Sequence, residues 1–141
     1  MISYPEAEDV LYFNGRTFRV EWYYTEVGRL PGLEYYLALT EAEQDRLDHI
    51  VKYFADSPFG TTLTSSMYRI EDSAHKLYAL KPGAHRFFNF MSAGRRIIIT
   101  NAYRKHSQRM AKPDLEKLKI AAAYRRDYLR HVEEGTYYEK V

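Results

Sequence analysis

Apolar and polar residues alternate along Thr17-Phe18-Arg19-Val20-Glu21-Trp22-Tyr23-Tyr24, with Phe18, Val20, Trp22 and Tyr24 sharing one face. A period of two predicts a strand. Gly28 and Pro31-Gly32 break the chain, and Leu33 to Leu39 reads as a short helix. Thr40-Glu41-Ala42-Glu43 has the capping-box spacing, in which a hydroxyl and a carboxylate satisfy free amides at a helix start. Leu47, Ile50, Val51 and Phe54 then recur at helical spacing, so Glu41 to Ala55 is predicted to be an amphipathic helix, with Asp45, Asp48 and Asp56 solvated beside the stripe. Ser57-Pro58-Phe59-Gly60 ends it, and Thr61 to Ser66 reads as a polar loop.

The second half turns to strands. Met67 to Glu71 and Lys76 to Lys81 are short ones; Pro82-Gly83 leads into His85 to Met91, and Ser92-Ala93-Gly94 turns into Arg95 to Tyr103. Ile97-Ile98-Ile99 is too continuous for a half-exposed strand, which predicts a central strand covered on both faces. Lys112-Pro113-Asp114 opens a last helix with Leu115, Leu118, Ala122 and Leu129 as its buried stripe, and Glu134-Gly135 closes it. The order of elements predicts an α+β domain with helices packed on a curved sheet.

The chain has 141 residues, the size of one domain, with no repeat or low-complexity linker to divide it. Cysteine is absent, which excludes disulfides, thiolate metal sites and a cysteine nucleophile. No apolar run approaches the ~20 residues of a membrane helix. Met1 to Asp9 is acidic rather than basic and then apolar, so neither a secretory signal nor an anchor is expected. The fourteen tyrosines suit a half-buried sheet better than a base-stacking surface.

Charge changes the picture. Met1 to His75 carries thirteen acidic residues against six basic ones, a net of −7, whereas Lys76 to Arg130 carries fourteen basic residues against three acidic ones, a net of +11. Such a split is either a solvated face paired with the acidic half or the footprint of a polyanion partner. The prevalence of arginine, whose planar fork fits phosphate, favours the polyanion.

His85-Arg86-Phe87-Phe88-Asn89-Phe90-Met91, Arg95-Arg96-Ile97-Ile98-Ile99, Tyr103-Arg104-Lys105-His106-Ser107-Gln108 and Lys112-Pro113 occur in an order that resembles the RelE/ParE toxin superfamily, in particular its HigB-like, phage-derived-protein branch. The Ala- and Arg-rich run Ala121 to Leu129 fits that branch's last helix. The strong likeness spans 76–130 of a single domain over 1–141, a weaker one reaches back to Val20, and 1–16 is an extension that reads as an extra hairpin strand or a partner contact.

The resemblance implies a RelE-like curved antiparallel sheet with two N-terminal helices and a C-terminal helix packed on it. It also implies a cytoplasmic type II toxin, silenced by a cognate helix-turn-helix antitoxin with which it forms a hetero-oligomer, that cuts mRNA on the ribosome without a metal or other cofactor. ParE-type gyrase inhibition and RNA binding without catalysis are the alternatives on the same fold.

Under the resemblance Arg86, Arg104, Lys105, His106 and Lys81 are the expected catalytic residues. Arginine and lysine would stabilise the phosphorane-like transition state, and His106 could act as acid or base near neutral pH. His85 is a weaker candidate of the same kind. Lys76, Arg95, Arg96, Ser107, Gln108, Arg109 and Lys112 are the expected RNA contacts, and Arg125, Arg126 and Arg130 read as a solvated helix face or antitoxin dock. Two positions depart from the family: Ala79 stands where a carboxylate is usual, leaving Lys81 as the cation of that pair, and Met110 stands where RelE proper has tyrosine, a role Tyr103 could take.

Overall fold

A computed structural model describes residues 10–60, 67–72, 74–106 and 111–138, which form six strands and three helices. In chain order these are β1 (Leu11–Asn14), β2 (Arg19–Trp22), α1 (Pro31–Leu37), α2 (Glu41–Asp56), β3 (Tyr68–Asp72), β4 (Leu77–Leu80), β5 (His85–Ser92), β6 (Arg96–Arg104) and α3 (Lys112–Glu133). The chain is α+β, and the strands make one sheet in the order β1-β2-β6-β5-β4-β3.

The expected antiparallel sheet is corrected to a mixed one. β2 runs parallel to β6, with Arg19 to Trp22 alongside Arg96 to Ile99, and the other four neighbouring pairs are antiparallel. A parallel pair needs a long crossover. Here the chain between β2 and β6 supplies it, and carries α1 and α2 onto one face of the sheet.

β6 lies inside the sheet and is covered on both faces, as its isoleucine run requires. Ile97 and Ile99 join Phe18, Val20, Trp22, Leu47, Val51 and Phe54 on the α1–α2 side. Ile98 joins Ala79, Phe88, Phe90, Ala121 and Tyr128 on the α3 side. The capping box at α2 is formed: Thr40 Oγ1 accepts from Glu43 N at 3.2 Å, and Thr40 N donates to Glu43 Oε1 at 3.0 Å. Pro31 does not break the chain but starts α1, a first-turn position where its missing N–H costs nothing.

Glycines permit two close approaches. At Gly15 an added Cβ would lie 2.5 Å from Ala55 Cβ, and in its absence the β1–β2 turn abuts the end of α2, with Thr17 N and Phe18 N both donating to Ala55 O. Gly32 brings α1 against β2 and β6, since its Cβ would meet the Trp22 ring at 3.0 Å and Thr100 O at 3.1 Å.

Several local expectations are revised. β1 is the extra hairpin strand in the N-terminal extension, at the edge of the sheet. Tyr24 does not share a face with Trp22: β2 ends there, and Tyr24 packs in the α3-side core, its ring stacked on Tyr137 at 4.2 Å. Asp48 is not simply solvated, because it accepts from the hydroxyls of Tyr12 (2.5 Å) and Tyr36 (2.8 Å), an arrangement that helps push the Tyr36 phenol up to about 12 after burial itself. On α3, Leu115 and Leu129 are exposed, and Ala121, Ala122 and Tyr128 carry the burial instead. Thr61 to Ser66 lies outside the described residues.

Candidate functional site

The C-terminal ends of β4 and β6 and the start of β5 lie side by side. Arg86 on β5 is the cross-strand partner of Tyr103 on β6, and Leu80 on β4 is the partner of Phe87, so the next step outward sets Lys81 beside Arg86. Side chains alternate between the faces of a strand. Ala79, Phe88 and Tyr103 belong to the α3-side core, which assigns Lys81 to that side with them. Arg69 on β3 pairs with Ala79 and brings a further cation to the same face.

The electrostatics register this convergence. Partial burial, then Arg86 and Arg69, and more weakly Lys105, hold the Lys81 ammonium below the usual lysine range, against a smaller opposing pull from Glu71. Arg86 is oriented by backbone alone, its Nη1 donating to Gly83 O (2.7 Å) and His85 O (2.9 Å). No carboxylate among the described residues forms an ion pair with Arg86, Arg104 or Lys105.

Tyr103 lies amid this group. Its hydroxyl is buried and has no hydrogen-bond partner among the described residues. Burial, then Glu71 and Asp114, push the phenol up to about 12 against the lowering effect of Arg86 and Arg69, so it stays protonated at neutral pH. Asp114 closes the site from α3, where it is buried in the first turn and accepts from Ala111 N at 3.0 Å. A buried phenol with Arg86 and Arg69 acting on it, Lys81 and Lys105 alongside, and Glu71 and Asp114 in partial opposition suits an anion with several oxygens.

Not every expected residue reaches this face. Arg104 follows Tyr103 and points to the opposite side, beside Tyr35 of α1, whose phenol it pulls down against burial. Its cross-strand partner His85 is likewise on that side and is buried: Nδ1 lies 2.7 Å from the Tyr35 hydroxyl, and Nε2 donates to the Glu43 carboxylate. His85 is therefore a positioned link between sheet and α2. His106 is exposed just past Lys105, and Lys112 is exposed at the start of α3. Ser107, Gln108 and Arg109 lie outside the described residues.

Arg95 and Arg96 are at the other end of β6, about 26 Å along the strand from Arg104 at ~3.3 Å per residue. Arg95 occupies the hairpin turn with φ 56° and lies 5.0 Å over the Phe59 ring. Arg96 Nε is 3.3 Å from Glu21 Oε2, and its guanidinium lies 4.6 Å over the Tyr138 ring. Lys76, with φ 54°, sits in the β3–β4 turn, away from the Lys81 end of β4. The alternation and antiparallel course of the strands separate Arg104, Arg95, Arg96 and Lys76 from the cluster. Arg69 was missed in the sequence because it falls within the acidic half; pairing of its strand with β4 was the signal that could have found it.

A grouping of Glu26, Asp127 and His131, with ligating atoms within 4.8 Å of one another, could hold a metal, but it lies toward the opposite end of α3. No protein-family model matches the chain, and no curated protein matches it. No helix among the described residues is long and apolar enough to cross a membrane.

Proposed function

We propose that this chain is a type II toxin of the RelE/ParE superfamily, HigB-like branch, that cleaves mRNA on the ribosome by attack of a 2′-OH on the adjoining phosphodiester. The observation that carries the reading is the placement of Lys81, Arg86 and Tyr103 on three neighbouring strands with Arg69 beside them and Lys105 near Lys81.

Arg86 and Lys105 stabilise the charge that develops on the non-bridging phosphate oxygens. Lys81, as its neutral amine, accepts the 2′-OH proton, a task eased by the neighbouring cations that depress it. The 2′-oxygen bonds to phosphorus and the bond to the 5′-oxygen breaks, leaving a 2′,3′-cyclic phosphate and a 5′-OH. The departing 5′-oxygen takes up a proton from water. A message held in the ribosome supplies the in-line geometry. The exposed Leu115, Leu129 and Val132 of α3 suit an antitoxin partner, the expected helix-turn-helix protein.

Inducing the chain in bacteria and mapping transcript 5′ ends tests the reading. New 5′-hydroxyl ends within coding regions are the expected result. Intact messages in growth-arrested cells contradict it, and inhibition of purified gyrase in a supercoiling assay would replace it with the ParE-type activity.

A further inference from the structure

Toward the C-terminal end of α3, well away from the basic face, three side chains bring ligating atoms to one point. Asp127 and His131 are one helical turn apart on α3, and Glu26 reaches them from the loop between β2 and α1. His131 Nε2 lies 2.8 Å from Glu26 Oε1 and 3.2 Å from Asp127 Oδ1. We propose that Glu26, Asp127 and His131 form a binding site for a divalent transition-metal ion of the zinc class, with Arg130 as the resident competing cation.

The surroundings of His131 support this. His131 Nδ1 lies 2.8 Å from Thr136 Oγ1, which is also 3.2 Å from His131 O. On the other side of the ring, Nε2 faces Glu26 Oε1 and Asp127 Oδ1. Three polar atoms thus converge on one point, a place suited to a cation. Arg130 marks the place: its Nη2 is 2.9 Å from Glu26 Oε1, 3.2 Å from Asp127 Oδ1 and 3.3 Å from His131 Nε2. Its side chain is 56% exposed and can swing into solvent without leaving a buried charge.

The outer contacts are those of a metal site. Ligating histidines commonly hydrogen-bond through their second nitrogen, where His131 has Thr136 at 2.8 Å, and ligating carboxylates are themselves hydrogen-bonded. Asp127 Oδ2 accepts from the buried Tyr23 hydroxyl, which leaves Oδ1 for the ion. Bonds of about 2.0–2.2 Å at tetrahedral angles separate ligand atoms by roughly 3.3–3.5 Å, a small expansion from the 2.8 and 3.2 Å between His131 and the two carboxylates. A cavity of about 100 Å³ bordered by Tyr24, Thr136 and Tyr137 leaves room for water as a fourth ligand. One imidazole nitrogen with two carboxylates suits zinc better than magnesium or calcium, which favour oxygen alone. Such an ion would tie the β2–α1 loop to the end of α3 and stabilise the fold by mass action.

The experiment is a zinc titration of the untagged, chelator-stripped full chain, read by calorimetry and thermal melting, in wild type, Arg130→Ala, His131→Gln and Glu26→Gln. The expected result is one zinc per chain in wild type with a raised Tm, and affinity increased about tenfold in Arg130→Ala, where a like charge has gone. Binding should be lost in the other two variants, and magnesium should leave Tm unchanged. Failure of Arg130→Ala to take up stoichiometric zinc, or wild-type affinity retained in His131→Gln, overturns the proposal and leaves an ion-pair network only.

Discussion

The two ends of β6 carry cations in similar number and differ in what surrounds them. At the hairpin end, Arg19 and Arg96 converge on the buried carboxylate of Glu21, with Nε–Oε2 distances of 2.8 and 3.3 Å, and Tyr138 donates to the same carboxylate at 2.9 Å. At the other end Lys81, Arg86 and Arg69 gather around a buried phenol, with Lys105 acting on Lys81 and with Glu71 and Asp114 partly opposing them. A count of charge along the chain treats the ends alike. Folding draws two arginines at one end onto a buried carboxylate, and sets the cations of the other end around a buried phenol.

The sharpest way to break this contrast is Arg86→Ala. Loss of one preorganised donor to a developing phosphate charge should lower the cleavage rate by about 10²–10³, measured as the rate at which 5′-hydroxyl ends appear on a ribosome-bound message. The corresponding change at the hairpin end is Glu21→Gln, which should reduce stability rather than cleavage. Unpairing Arg19 and Arg96, each about one-third exposed, should cost about 2 kcal/mol after allowance for screening by water, read from urea unfolding.

Glu43 separates the faces in a different way. His85, and then Thr40, hold its carboxyl at about 2, below the ordinary glutamate value of 4.5. A depressed carboxyl contributes stability above its unfolded value and gives it up as pH falls through the folded one, so the contribution should vanish between pH 4.5 and about 2. The stability difference between wild type and Glu43→Gln, followed by acid titration, should close over that window. The smallest effect belongs to Arg104→Ala. Because this side chain is exposed on the opposite face, cleavage should stay within about threefold of wild type, the range of an ordinary surface change.

Much of this was legible where the signal is local. The capping box at Thr40, the amphipathic α2 stripe, the doubly covered isoleucine run and the Lys81–Arg86 neighbourhood all follow from short-range spacing. Long-range pairing was not. Nothing in Arg19 to Trp22 announces that it lies parallel to β6, because that depends on where the intervening helices pack. Tyr128 displaced Leu129 from the core because its ring meets Phe90 at 5.2 Å and its hydroxyl finds Ser92 at 2.9 Å, neither contact being visible in a helical period. Arg104 shows a different limit: strand alternation already separates it from Tyr103, but grouping it with Lys105 as one basic patch concealed that. Glu21, read as a polar position on a half-exposed strand, is the buried charge that decides which arginines are available.

Availability of cations at one end and not the other is tested most directly by the salt dependence of binding to a single-stranded RNA. Each phosphate contact contributes about 0.7 to the slope of log affinity against log salt. Lys105→Ala and Arg86→Ala should each lower the slope by about that amount, while Arg95→Ala leaves it unchanged. Equal losses from Arg86→Ala and Arg95→Ala, or no loss from either, would contradict the account.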